Sequence, residues 1–277
     1  MARSTPATAK PSTPAPVTGV GHPGRARIPA RTLRTDRYWV QPAITFGVLL
    51  AFIIYATIRA FWNGAYYSAP YISPFYSPCL STNCVPGSGE THPVGDWWTL
   101  SPALLILIFP LGFRMTCYYY RKAYFRSFWL SPPACAVAEP HGAYSGETRF
   151  PLILNNIHRY FFYAGLVFNV ILTWDAILAF RDADGEWGHM GLGTLVLLTN
   201  ATLLWLYSMS CHSCRHVIGG RLKHFSTHPL RYKSWTFVSK LNTRHMQFAW
   251  TSLVGVALTD AYVALLASGA FDDPKFF

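Results

Sequence analysis

The run Cys211-His212-Ser213-Cys214-Arg215-His216 packs two thiols and two imidazoles into six residues, directly after the apolar stretch LGTLVLLTNATLLWLYSMS. Thiolates and imidazoles are common zinc ligands, and the C-x-x-C spacing suits a structural Cys₂His₂ site. Two thiolates on one iron and two imidazoles on the other would make a Rieske-type [2Fe–2S] cluster. Two imidazoles alone, facing each other across a helix bundle, would hold haem b. The plain alternative is a group of small packing thiols and interfacial histidines. The usual Rieske spacing, C-x-H with C-x-x-H, is absent, so this reading rests on ligand types and not on a motif.

The elements that must position these residues are membrane helices. Half of the 277 residues are hydrophobic (51%), only 13% are charged and mean hydropathy is positive, a composition that points to a polytopic membrane protein. Windows of about 20 apolar residues, the length that crosses the hydrocarbon, fall near 42–62, 98–120, 152–180, 190–211 and 243–268. The expected fold is therefore all-α, an integral membrane bundle of five transmembrane helices. Span two ends in FRMTCYYYRKAYFRSFW with Cys117, span three begins PLILNNIHRYFFYAG with His158, and span five begins LNTRHMQFAW with His245. With alternate spans antiparallel, these residues and CHSCRH converge at one depth. Polar side chains inside a membrane are costly enough to suggest function for His158 and His245. The preferred ligand set is Cys211, Cys214, His158 and His245, with Cys117, His216 and His212 next.

The charges sort by side. Residues 1–37, 114–159 and 212–244 hold 20 of the 23 Lys and Arg, whereas the opposite side keeps Arg59, Arg181 and Lys275 against nine acids. The positive-inside rule then puts the N-terminus in the cytoplasm and the C-terminus outside. The net charge of +11 records this topology, and nucleic-acid binding is not needed to explain it. The first forty residues have no apolar core of a signal peptide. Residues 1–36 read as a flexible basic tail and 37–277 as the membrane domain. Cys79 and Cys84 share the first outer loop, where an oxidising compartment permits a disulfide-closed turn; two unpaired thiols are the alternative.

Five spans with a cytoplasmic N-terminus, the string GETRFPLILNNIHRYFFY at residues 146–163 and the following CHSCRH resemble the membrane-anchor subunit of actinobacterial succinate dehydrogenase, respiratory complex II, over roughly residues 35–270. The resemblance implies a plasma-membrane subunit, inactive alone, that docks a flavoprotein and an iron–sulfur protein on its cytoplasmic face. Electrons from succinate would then reach menaquinone or ubiquinone, in some members through haem b. Related five-helix anchors hold two haems with four histidines on four helices. Here the outer half offers only His189, so that pattern is not met and the Cys-plus-His layer is the better cofactor candidate.

The basic loop SPPACAVAEPHGAYSGETRF is a docking surface on this reading, with Cys135 and His141 as reserve ligands. A quinone site needs an apolar slot with a few polar groups. Arg114, Tyr118, Tyr119, Tyr120, Trp129 and Arg159 lie near the expected level, where an aromatic belt with arginine anchors would look the same. Asp175 and Asp260 fit a proton path or an outer quinone site less well than helix ends reaching lipid headgroups. The leading reading is a relay of electrons from the docked iron–sulfur protein to quinone through a Cys/His-ligated [2Fe–2S] cluster. The alternatives are haem b in the same complex, or a structural anchor with zinc or no metal.

Overall fold

The computed structural model describes residues 34–88, 97–137, 149–150, 152–220 and 222–277. Residues 1–33 and His141 lie outside the described residues, as does most of the proposed docking loop.

The apolar run behind Trp39 forms α1 (Val40–Trp62), followed by a short antiparallel hairpin, β1 (Tyr67–Ser68) and β2 (Tyr71–Ile72). Helices α2 (Pro102–Ile106) and α3 (Ile108–Thr116) lead to α4 (Tyr118–Phe128). A 3₁₀ turn (Leu152–Ile157) opens α5 (His158–Leu178), and α6 (Leu192–Met209) returns across the bundle. Two further helices, α7 (His212–Gly219) and α8 (Pro229–Asn242), precede α9 (His245–Ala267). Four segments, Val40–Trp62, Ile153–Leu178, Leu192–Met209 and His245–Ala267, are long and apolar enough to cross a membrane. They correspond to expected spans one, three, four and five.

Span two differs from expectation. Pro102–Thr116 and Tyr118–Phe128 together pass as one span but are bent by 79°. The bend sits at Cys117, whose extended backbone (φ −65°, ψ 130°) ends α3 and caps α4. Tyr-, Lys- and Arg-rich α4 turns away and packs on α1, with Phe128 against Phe46 at 4.7 Å. The basic segment 212–244 between the fourth and fifth spans folds into α7 and α8, which pack on each other.

Helix α9 is the most buried span and α1 the least. Small and polar residues let α6 and α9 approach closely: Thr194, Ala201 and Ser208 on one, Ala249, Ser252 and Thr259 on the other are all buried. The outer faces carry Ile44, Ile53, Ile58, Val167, Val170 and Trp174 exposed, the side chains a lipid phase accepts.

On the acidic side the chain closes over itself. Cys79 and Cys84 form a disulfide beside buried Tyr66, Phe75 and Tyr76. Asp260 does not reach headgroups; it is fully buried and paired with Arg59 (Nε–Oδ2 2.7 Å, Nη2–Oδ1 3.1 Å). Tyr55 and Ser73 also donate to it, and the guanidinium donates onward to Gly64 O and Ala65 O. A buried charge survives only when paired and hydrogen-bonded in this way. The C-terminal residues run against the start of α6, with Leu192 N donating to Pro274 O at 2.9 Å and Phe276 N to Met190 O at 2.8 Å. There the Asp273 carboxylate accepts from Gly193 N (2.8 Å), Tyr71 (2.7 Å) and Tyr262. His189 bonds Tyr71 at 2.9 Å in the same cluster.

Candidate metal centre

At the opposite, basic end, four helix boundaries meet. Cys117 and Cys211 each follow the last residues of a helix in an extended conformation (φ −68°, ψ 146° at Cys211) and cap the next helix. His158 and His245 are the first residues of α5 and α9. Starting a helix at the histidine and ending one at the cysteine brings both residue types to the same level of an antiparallel bundle.

The side chains form two crossed pairs. His158 Nε2 lies 3.1 Å from Cys211 Sγ, and His245 Nε2 lies 3.4 Å from Cys117 Sγ. The other ring nitrogen of each histidine meets a hydroxyl: His158 Nδ1 is 2.8 Å from Thr116 Oγ1, and His245 Nδ1 is 2.8 Å from Ser210 Oγ. Both hydroxyl protons are already placed, because Thr116 donates to Gly112 O at 2.7 Å and Ser210 to Tyr207 O at 2.9 Å. With its proton on that carbonyl, each hydroxyl can only accept from Nδ1–H, and in that tautomer both Nε2 lone pairs face the thiols.

Aromatic rings hold the imidazoles from the side. Phe113 stacks on His158 (5.1 Å, 14°) and Tyr207 on His245 (5.2 Å, 11°). Cys117, Cys211, Thr116, Ser210 and His245 are buried, in a core that includes Leu49, Tyr120, Phe162, Ala249 and Leu253. Arg114 lies beside this layer with its guanidinium over Tyr207 at 4.7 Å, donating to Tyr120 OH (2.6 Å), Ser252 Oγ (3.2 Å) and Ala249 O (3.3 Å).

The expected ligands are therefore only partly the ones brought together. His158, His245 and Cys211 stand in the paired set, and Cys117 takes the place that the C-x-x-C spacing assigned to Cys214. Cys214 lies on α7, half-buried at the edge of the same core, where burial pushes its thiol up. His212 and His216 are exposed on α7, and His216 Nδ1 contacts the Arg159 guanidinium. Cys135 is exposed, and its carbonyl accepts from Arg34 at 2.7 Å. Among the described residues no three His, Cys, Asp or Glu side chains converge as ligands of a single metal ion. The donor set of two buried thiols and two imidazoles with free Nε2 lone pairs nonetheless has the composition that a two-iron, mixed-ligand cluster uses.

The six residues expected near quinone also separate. Tyr118 and Arg159 line an open cleft of about 580 Å³ with Asn155, His158, His212 and His216. Arg114 faces a largely apolar, partly open pocket of about 330 Å³ that reaches Asn169, Tyr207 and Ser208. Tyr120 is buried on Ala249 O, Tyr119 bonds Trp250, and half-exposed Trp129 stacks on Phe125.

Sequence reasoning missed Thr116 and Ser210, although a signal was present. The pentapeptides Phe113-Arg-Met-Thr-Cys117 and Tyr207-Ser-Met-Ser-Cys211 repeat one pattern, aromatic-x-Met-hydroxyl-Cys. Each supplies the ring over one histidine, the hydroxyl for that same histidine and the thiol for the other.

Membrane-spanning helices that close on a buried layer of thiols and imidazoles at their basic end define a multi-pass membrane subunit suited to redox work. Residues 40–269 match the family described as actinobacterial succinate dehydrogenase subunit SdhC. A chain of the solved structure "Mycobacterium smegmatis Sdh1 complex in the apo form" is 58% identical, with a TM-score of 0.83 over 94% of this chain and 99% of that one. No curated protein matched. The chain belongs to the actinobacterial SdhC family and is a membrane subunit of succinate dehydrogenase, an oxidoreductase.

Proposed function

We propose that this subunit carries electrons from a docked iron–sulfur protein to membrane quinone through a Rieske-type [2Fe–2S] cluster held by Cys117, Cys211, His158 and His245. The observation that carries the reading is the pair of thiol–imidazole contacts, 3.1 and 3.4 Å, contributed by four different helix boundaries at one level of the bundle. When bound, such a cluster passes single electrons at a potential raised by its histidine ligands.

The chain's own part is to hold four donors rigid, exclude water and orient both imidazoles. Phe113, Phe162, Tyr207 and Leu253 cover the layer on its core side, while His158 borders the open cleft. A bis-histidine haem b needs two imidazoles facing each other, whereas both Nε2 atoms here face sulfur, which favours the mixed set. Quinone enters at the basic end, in the cleft lined by Tyr118, Asn155, Arg159 and His212. Phenol, amide and guanidinium donors there reach carbonyl oxygens, and His158 forms part of the wall, beside the layer.

The basic face is cytoplasmic on the positive-inside rule and receives the flavoprotein and iron–sulfur subunits. The membrane domain takes in residues 37–277. Metal analysis tests the function: a His158→Ala/His245→Ala complex is expected to lack about two irons and two acid-labile sulfides relative to the parent. Equal iron and sulfide in an assembled variant would remove the cluster from this subunit.

A further inference from the structure

The repeated pentapeptide gives the layer an approximate internal two-fold pattern. In each half the hydroxyl immediately before the cysteine serves one histidine while the cysteine faces the other, so Thr116–Cys117 and Ser210–Cys211 interlock with His158 and His245. Each hydroxyl is itself fixed, its proton spent on a carbonyl one helical turn back, Gly112 O or Tyr207 O. Thr116 and Ser210 are both buried, Ser210 completely, so water has little access to compete for the Nδ1 protons.

An imidazole free to exchange tautomers, or to rotate about Cβ–Cγ, offers either nitrogen. Here the hydroxyl prevents the exchange and the stacked Phe113 or Tyr207 ring limits the rotation. The groups that orient metal-bound histidines act in this way and change metal retention when removed.

We infer that Thr116 and Ser210 are paired positioning residues: they lock His158 and His245 as Nδ1–H tautomers and present both Nε2 atoms to the cluster. This rests on the cluster reading above. Neither hydroxyl touches the reacting atoms, and both act only through the imidazoles. The inference also fixes which ring nitrogen binds iron, a choice the residue types leave open.

The test uses the intact complex purified through this subunit, with Thr116→Val, Thr116→Ala and Ser210→Ala beside the hydroxyl-keeping Thr116→Ser and Ser210→Thr. Two signals are read: iron retained under a chelator challenge, and the pulsed-EPR modulation from the remote, non-ligating ring nitrogen. The three hydroxyl-free variants are expected to retain iron about 10- to 100-fold less well and to alter the remote-nitrogen coupling of one imidazole each. Thr116→Ser and Ser210→Thr keep the parent's pattern. Running alanine beside valine separates loss of the hydroxyl from altered branching. Parent-like retention and coupling in the hydroxyl-free variants would overturn the inference, as would equal damage in the hydroxyl-keeping ones. A parent complex without any imidazole-coupled cluster signal brings down the underlying reading, an outcome recognised before any variant is compared.

Discussion

Replacing one thiol at a time separates two ligand sets built from the same residue types. Cys117 faces His245 at 3.4 Å, whereas Cys214 sits on α7 at the edge of the core. Cys117→Ser and Cys211→Ser are expected to abolish the cluster signal of the reduced complex, and Cys214→Ser to leave it within about twofold of the parent by spin count. Loss in Cys214→Ser with retention in Cys117→Ser would restore the C-x-x-C set. Part of this side-chain layer was legible in the sequence: the depth at which their spans begin and end placed His158, His245 and Cys211 near one another, and the structure sets them in the contact pairs His158–Cys211 and His245–Cys117. Cys117 ranked lower because a neighbouring thiol in chain order is visible in the sequence, and a 79° bend that delivers a distant one is not. Thr116 and Ser210 went unmarked because helix hydroxyls usually bond their own backbone; here they do so and serve a histidine as well.

At the scale of elements, the helix boundaries do the positioning and the acidic-side contacts hold the spans in register. Arg59 on α1 and Asp260 on α9 are both buried. Arg59→Met leaves a buried carboxylate without its cation and is expected to cost about 3–5 kcal/mol in reversible detergent unfolding, while Arg59→Met/Asp260→Leu recovers most of the loss. Equal destabilisation in the double variant would make the pair more than an ionic clasp. The Tyr71 phenol, in the β1–β2 hairpin, is raised above its ordinary value, chiefly by burial. A raised value means the folded state holds the proton more tightly. Its contribution is therefore intact below about pH 10 and lost as pH rises beyond that. Tyr71→Phe should flatten the alkaline limb of a stability-against-pH curve; an unchanged limb would assign it to other groups. The apolar spans were readable within a few residues from length and hydropathy. The bend at Cys117, helices α7 and α8 and the Arg59–Asp260 pair depend on tertiary contacts that no local window contains.

For the whole molecule, four helices are long and apolar enough to cross a membrane, five if the bent pair is one span; five crossings would put the two ends on opposite sides, and the positive-inside rule would put the basic end inside. A membrane-impermeant maleimide is expected to label exposed Cys135 in inverted vesicles and not in intact cells. The disulfide-bonded Cys79 and Cys84 should label in cells only after reduction. The reverse pattern would invert the topology and move the docking face. The family match makes the chain a succinate dehydrogenase subunit, and the central claim beyond it is that electrons cross a cluster ligated here. The most direct measurement is a pair of spectra, optical and EPR, of the dithionite-reduced complex purified through this subunit, with the His158→Ala/His245→Ala complex beside it. The account predicts a rhombic signal of low average g in the parent, absent from the variant, without the sharp α-bands of reduced haem. Haem bands that vanish with the histidines, or a low-g signal that survives their removal, would contradict it.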